Sequence, residues 1–488
     1  MDQTLDRATP ESVGIPSSVI HEWVDELDSM VSDAHSLMVV RHGKVVAEGW
    51  WAPNGRELNQ TLFSLSKSFT STAVGLAVEE GHFGLDDYVL SFFPAETPAK
   101  VSPNLAAMKV RHLLAMCTGH REPTDERVFG GKDTNWVRSF LSLPVGEPPG
   151  TYFLYNSPAT YMLSAIIQKR TGTKLIDYLR PRLFEPLGIE NPTWEEDPRG
   201  INTGGFGLQV RTEEIARFGQ LYLQKGIWGG RRLISAEWVE AATSFQIDNA
   251  PNENPDWALG YGYQFWRGRH DSYRGDGAFG QFCVVVPAED LVIAVTAGTG
   301  WMHRVLDSIW EILLPGLRSA GLPEDPPAHR VLTERLASLA LVPRPGAVSS
   351  TLEASLDGAE FAIDPNPRGL TALRLEFDSH GGVLTLRERG KERPRRLGFG
   401  RETWHKGRST LMPEWRGQPL VASAGWPRPD CLEVDVCLYS SPFRYTINLD
   451  FAGLDVRVST RVNVAFGPTD LGVFVARRTA PALATGIG

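Results

Sequence analysis

The sequence predicts an α+β layered domain followed by an all-β domain, and three observations predict it. In the first 315 residues strand patterns stand at both ends and helical patterns fill the middle, which suits an antiparallel sheet flanked by helices. Between Leu314 and Ala347 prolines accumulate (Pro315, Pro323, Pro326, Pro327, Pro343, Pro345), as in a linker. Beyond it, short alternating runs recur between turn signals, as in a small antiparallel barrel or sandwich. The expected boundaries are 1–325 for the first domain, 326–347 for the linker and 348–488 for the second.

Residues 35–48 read as two short strands around a His42-Gly43 turn. Leu62 and Phe63 then lead into Ser64-Leu65-Ser66-Lys67, and the amphipathic run 69–80, closed by Gly81, predicts a helix. Further helices are expected at 110–116, 159–169, 212–224 and 236–243, and strands at 261–266, 281–286 and 291–297. The linker carries one short helix, 332–339. The C-terminal strands are expected at 370–377, 382–387, 431–438, 443–451 and 454–462, with turns such as Ser379-His380-Gly381-Gly382 between them.

A chain of 488 residues that is 42% hydrophobic can bury a large core. Its net charge of -9, without basic clusters, argues against nucleic acid or an anionic membrane as partner. No window approaches the apolar length of a membrane span. The N-terminus, Met1-Asp2-Gln3-Thr4-Leu5-Asp6-Arg7, is polar and has no apolar signal core behind it, so a cytoplasmic location is expected. Cys431 and Cys437 fall in one strand pattern, roughly 20 Å apart along it, too far to bridge. Cys117 and Cys283 read as buried thiols. No histidine or cysteine spacing suggests a metal, and neither metal nor cofactor is expected.

The chemistry gathers around three segments. Ser64 and Lys67, three apart, share a helix face, so the amine reaches the hydroxyl. Ser64 stands at a helix N-terminus, where unpaired N–H groups and the dipole favour developing negative charge. Alone, such a tetrapeptide turns up by chance about half the time in a chain of this length, and a capping serine beside a solvated lysine is the plain alternative. In the segment 149–157, Tyr155 sits in an irregular loop ahead of a helix. Beside a lysine ammonium its pKa would fall and make it a general base; a core tyrosine with a satisfied hydroxyl is the alternative. The third segment, 275–287, is glycine-rich and leads into an apolar strand. An edge strand there offers a backbone N–H to an oxyanion, although an ordinary glycine hairpin has the same composition.

Taken in order, and with Glu79-Glu80-Gly81-His82-Phe83-Gly84-Leu85-Asp86-Asp87, Val110-Arg111-His112-Leu113-Leu114-Ala115-Met116-Cys117-Thr118-Gly119 and 260–266, these segments resemble the serine β-lactamase-like superfamily in its class C and esterase branch. The resemblance covers about residues 8–315 and implies a β-lactamase/transpeptidase-like first domain. It implies Ser64 as nucleophile, Lys67 as its lysine partner, Tyr155 as the tyrosine of the Y-x-N motif, and the N–H groups of Ser64 and Ala278 as oxyanion donors. It also places Ser157, Gly277, Phe279, Gly280 and Gln281 at the substrate, with Asp125, Trp136 and Trp301 in loops that line the cleft. Two departures stand out: Ser157 replaces the asparagine of the tyrosine motif, and Ala278 or Phe279 stands where penicillin-recognising enzymes carry a lysine. Arg274 is either a substitute cation or a surface arginine at a turn. The Y-x-S form with G-x-x-G-Q is similar to 6-aminohexanoate-dimer hydrolases and to carboxylesterases of the superfamily.

The C-terminal segment resembles lipocalin-like β-domains appended to some peptidases of this superfamily, either restricting substrate size or supporting contact with a second copy in a homo-oligomer. The expected activity is cleavage of an ester or amide bond in a small molecule through a Ser64 acyl-enzyme, with Lys67 and Tyr155 as the base system. A β-lactamase or D-aminopeptidase is one alternative, and a non-catalytic binding or assembly protein on the same fold is the other.

Overall fold

A computed structural model of the chain describes residues 4–479 except 32 and 416. The start of the N-terminal stretch read above for a targeting signal, residues 1–3, lies outside the described residues. The chain divides into two units. The first comprises Met1–Trp50, Gly55–Ala297 and Trp301–Leu339, and the second Trp51–Asn54, Gly298–Gly300 and Ala340–Gly488.

The first unit is built on a seven-stranded sheet. Its strands are β1 (Asp6–Arg7), β2 (Ala34–Arg41), β3 (Lys44–Trp50), β4 (Trp266–Arg267), β5 (Tyr273–Gly277), β6 (Gln281–Val286) and β7 (Leu291–Ala297), in the spatial order β1-β3-β2-β7-β6-β5-β4. Only β1, beside β3, runs parallel to its neighbour. The β2–β3 hairpin turns on His42 and Gly43, both with positive φ (51° and 72°), as a two-residue hairpin loop of primed type requires. Every residue of β2, β6 and β7 is buried, so the sheet is covered on both faces.

The expected strand 261–266 is corrected to a bend that reaches strand geometry only at Trp266–Arg267, in β4. Gln264 adopts φ 66°, and its side-chain amide bonds the carbonyls of Leu113 and Leu114 and the hydroxyl of Thr160. Those distant partners override a strand-like composition.

Five helices matter here: α1 (Ser17–Met30), α2 (Ser66–Glu79), α3 (Ser157–Thr171), α4 (Thr212–Leu223) and α5 (Pro326–Ala337). Helix α4 packs on β2, β6 and β7. Gly219 lets it lie close, since a Cβ there would stand 2.5 Å from the Val292 side chain. Helix α2 is buried on nearly every side, and three of its hydroxyls bond neighbours: Ser66 accepts from the Leu208 N–H, Ser68 donates to the Gln264 carbonyl and Thr70 to the Gly204 carbonyl. Helix α3 begins at Ser157 because the Asn156 side chain caps the Ala159 N–H. Helix α5 starts six residues before the expected 332. Asp325 caps it, and Pro326 and Pro327, read as linker, sit in the first turn where proline costs no hydrogen bond. Among the described residues no helix is long and apolar enough to cross a membrane.

The second unit is a closed β-barrel. Its strands are β8 (Glu360–Ile363), β9 (Leu370–Phe377), β10 (Gly381–Glu388), β11 (Arg395–Arg401), β12 (His405–Arg408), β13 (Pro419–Arg428), β14 (Cys431–Cys437), β15 (Arg444–Ala452), β16 (Asp455–Val462) and β17 (Asp470–Arg478). They follow one another antiparallel in the order β11-β10-β9-β8-β17-β16-β15-β14-β13-β12. The seam closes where β11 pairs parallel with β13 at Gly400–Ser423 and Arg401–Ala424, making nine strands around, with β12 along the rest of that edge. Its interior is an apolar cluster that includes Leu373, Leu384, Val434, Ile447, Leu449 and Val458.

Candidate active site

Ser64 lies in a tight 3-10 turn, Phe63–Leu65, immediately before α2. Phe63 is held at φ 47°, a left-handed conformation that is strained for a bulky residue and common where a neighbour must be aimed. Lys67, one turn on, is buried. Its Nζ reaches Ser64 Oγ at 2.9 Å, Ser157 Oγ at 3.1 Å and the Gly205 carbonyl at 2.8 Å. The same Nζ stands 4.9 Å from the centre of the Tyr155 ring, and the Tyr155 hydroxyl hydrogen-bonds Ser64. Ser64, Lys67, Tyr155 and Ser157 are thus brought together.

Burial drives the electrostatics. It pushes the Lys67 ammonium down to about 7 from its ordinary 10.5, with Asp125 opposing through its charge. Lys67 Nζ donates to Ser64 Oγ, Ser157 Oγ and the Gly205 carbonyl, and loss of one proton near pH 7 leaves two N–H donors and a lone pair facing the same three oxygens. Tyr155 moves the other way. Burial pushes its pKa up, the Ser64 hydrogen bond opposes this only in part, and Asp276 and Asp125 add to the rise. The expected depression of the phenol by a lysine ammonium is therefore corrected: the phenol keeps its proton. Trp266 stacks on the Tyr155 ring at 5.3 Å and fixes its plane.

The third wall is the β5–β6 hairpin, whose loop is Ala278-Phe279-Gly280 between paired Gly277 and Gln281. Among the described residues the outer edge of β5 has no strand partner beyond Arg274, since β4 pairs only Tyr273 and Arg274. The strand presses on the Ser64 turn. A Cβ on Gly277 would stand 2.0 Å from the Leu62 carbonyl oxygen, and one on Gly275 would stand 2.3 Å from Leu65. Any side chain there would push the hairpin away. Phe279 (φ 68°) meets Phe63 edge-on at 5.4 Å, and Gly280 (φ 98°) completes the bend. Gln281 spends its side-chain amide on the Ala278 and Ala297 carbonyls, 3.2 and 2.7 Å away, and so braces the loop.

The remaining candidates lie in different settings. Asp125, opening a short helix, is half-buried and acts on Lys67 and Tyr155 through its charge. Trp136 packs against Phe129 and Tyr161 at 4.7 and 5.4 Å. Trp301 is 62% exposed. Arg274 is neither a surface arginine nor aimed at the serine: it is fully buried, bonded to Asp276 and to the carbonyls of Asp256 and Arg267. Among the described residues no group of three or more His, Cys, Asp or Glu side chains is placed to hold a metal.

Three residues of the site escaped the sequence reading. Gly205 supplies the carbonyl on Lys67, and the run Gly204-Gly205-Phe206-Gly207 was the available signal. Asn156, fully buried, caps α3 and bonds Thr118 and Thr124, which anchors the link between Tyr155 and Ser157. Trp266 ends the segment 260–266 that carried part of the resemblance, but it was not named for the site.

Residues 27–307 match the family model described as Beta-lactamase. The chain belongs to the beta-lactamase family. Among curated relatives it is similar to the 6-aminohexanoate-dimer hydrolase of Paenarthrobacter ureafaciens, 24% identical over 255 residues, which are 48% of this chain and 64% of that protein. The chain thus spans less than two thirds of that relative's length. It is also similar to penicillin-binding protein 4 of Amycolatopsis lactamdurans, 26% identical over 311 residues, 54% of this chain and 79% of that one. Among solved structures a penicillin-binding protein homologue from Caulobacter crescentus superposes with a TM-score of 0.51 at 17% identity, covering 62% of this chain and 97% of that one. That likeness shows a shared fold over the part of the chain it covers.

Proposed function

We propose that the chain is a serine hydrolase that cleaves an ester or amide bond in a small molecule through an acyl-enzyme on Ser64. The observation that carries this reading is the 2.9 Å contact between Ser64 Oγ and a buried Lys67 amine whose pKa is lowered to about 7. Neutral Lys67 takes the Ser64 proton as Oγ attacks the carbonyl carbon. In this reading the oxyanion is held by the N–H groups of Ser64 and Ala278, and the close approach of Gly277 to Leu62 supports it. The proton passes from Lys67 through the Tyr155 hydroxyl to the leaving alcohol or amine. Water, deprotonated along the same path, then releases the acid and restores Ser64.

Two observations favour a simple ester or amide over a β-lactam or a D-alanyl amide. The hairpin loop carries Ala278 and Phe279 in place of a cation, and Arg274 is committed to Asp276 and two carbonyls. A non-catalytic role is disfavoured by an intact Ser64, Lys67 and Tyr155 in mutual contact. Initial rates on p-nitrophenyl butyrate, a chromogenic β-lactam and a D-alanyl anilide decide the substrate class. The ester is expected to turn over fastest. A faster β-lactam would reassign the enzyme, and no turnover of any of the three would revive the binding-protein reading.

Tyr155→Phe is expected to lower kcat by about 10²- to 10³-fold while the pH dependence keeps its rising limb, because the proton acceptor is Lys67. Loss of that limb in the variant would make the phenol the base. Gly205→Val tests the support beneath the lysine. Its Cβ would stand 3.0 Å from the Ser157 carbonyl and 3.5 Å from Lys67 Nζ. Displacing those groups is expected to cost about 10²-fold in kcat with KM little changed.

A further inference from the structure

A partly open cavity of the second unit lies in the barrel, and none of the residues gathered around Ser64 lines it. It holds about 260 Å³ and is lined by Leu373, Leu384, Leu386, Ile447, Val458 and Phe474. Barrels of about this strand number either fill with side chains or leave room for one small ligand. This one leaves room. Taking the ~30 Å³ share of a water molecule as the unit, the space takes roughly nine methylene-sized groups. Most of its wall is apolar, while Arg368, Glu388, Arg395, Glu414 and Thr460 supply the polar part, so the cavity suits a molecule with an alkyl chain and one polar end.

The mouth is charged. Arg395 pairs with Glu388 and bonds the Leu411 carbonyl at 3.2 Å. Arg368, exposed at the rim, has only neutral partners: the Met412 sulfur and the Leu471 carbonyl, each at 3.2 Å. No carboxylate lies within ion-pair distance of it among the described residues. Glu414 also lines the cavity. An outer cleft, sharing Glu388, Arg395 and Met412 with the cavity, adds Lys391, Arg393 and Glu392. The rim therefore carries four cations against three carboxylates, and one of the cations is a guanidinium without an anionic partner.

We propose that the barrel interior binds a medium-chain alkyl carboxylate, its chain along the leucine-lined cavity and its head group on Arg368 at the mouth. A guanidinium fork suits a carboxylate, and the chain length follows from the volume. The site is independent of Ser64, so the proposal stands or falls apart from the hydrolase reading.

Calorimetric titration of full-length Ser64→Ala protein with octanoate tests it, the substitution excluding turnover. One octanoate is expected to bind per chain. Affinity is expected to rise about four-fold per methylene from hexanoate to octanoate and to level off once the chain outgrows the cavity. Octan-1-ol and octylammonium are expected to bind at least about ten-fold more weakly, and Arg368→Gln to weaken octanoate by a similar factor. Leu384→Trp, which fills the cavity, is expected to abolish binding. Arg368, being exposed, gives a second variant that does not disturb the barrel core. Absence of saturable binding would overturn the proposal. So would octylammonium binding as tightly as octanoate, or octanoate binding unchanged by Arg368→Gln.

Discussion

Ser64→Ala is expected to lower kcat/KM for a p-nitrophenyl ester by at least about 10⁴-fold and to leave the fold intact. The proposed reaction needs an oxygen at this position to form the acyl bond. The lysine base, the phenol and the hairpin donors act only on what that oxygen does. What survives the substitution is binding and oxyanion polarisation, which supports slow attack by water. The structural cost is small by contrast. Ser64 is half-buried, and Lys67 keeps its contacts with Ser157 and Gly205 when the hydroxyl is gone. Loss of one hydrogen bond at such a place costs about 1 kcal/mol, a few degrees or less in Tm for a chain of this size. Intact-mass measurement after exposure to a fluorophosphonate separates chemistry from folding: wild-type protein is expected to gain one adduct and Ser64→Ala none. An adduct on the alanine variant, or equal ester rates in the two proteins, would place the hydrolysis on another residue.

Much of the first unit was legible because its signals are local. The apolar runs 281–286 and 291–297 are strands over the residues expected, and the His42-Gly43 turn folds the hairpin ahead of them. Where the reading failed, a distant partner or a neighbour in the sheet decides. Residues 261–266 have strand composition, but the side chain of Gln264 is held by Leu113, Leu114 and Thr160, more than a hundred residues earlier. In the barrel, β11 is Arg395-Arg396-Leu397-Gly398-Phe399-Gly400-Arg401 and β12 is exposed at all four positions, so neither announces itself by alternation. β11 becomes a strand because β10 pairs with it along its length, and β12 because β13 does. The site divides in the same way. The nearness of Ser64 and Lys67 was legible from spacing and Tyr155 was named from motif, whereas Gly205, from a loop, and Trp266, from β4, are brought near only by the folded chain. The direction of the Tyr155 pKa was not legible either, because burial is a property of the surroundings and not of the Tyr155-Asn156-Ser157 tripeptide.

A rising limb centred near pH 7 is expected in kcat/KM, and it belongs to Lys67. Burial lowers the lysine from 10.5 to about 7, so below that pH the amine holds its proton and cannot accept the one from Ser64, and above it the neutral form dominates. Tyr155, whose pKa is raised, keeps its proton across the whole accessible range and contributes no falling limb near neutrality. Lys67→Arg preserves the charge and much of the length but cannot release a proton, and it is expected to lose on the order of 10³-fold or more in kcat. Asp125→Asn separates the environment from the base. Its carboxylate is the charge that opposes the lowering of Lys67, so removing it is expected to move the limb to lower pH. A limb still near pH 7 in Lys67→Arg would assign the titration to another group, and a shift to higher pH in Asp125→Asn would reverse the sign of the proposed coupling. The same lysine links pH to stability. Between about pH 7 and 10.5 the unfolded chain binds a proton at Lys67 that the folded chain does not, so its contribution to stability increases with pH across that window. Urea titrations of wild-type protein and Lys67→Met at pH 7 and pH 9.5 are expected to show that slope in the first and its loss in the second. The slope then reports the burial that makes the amine a base.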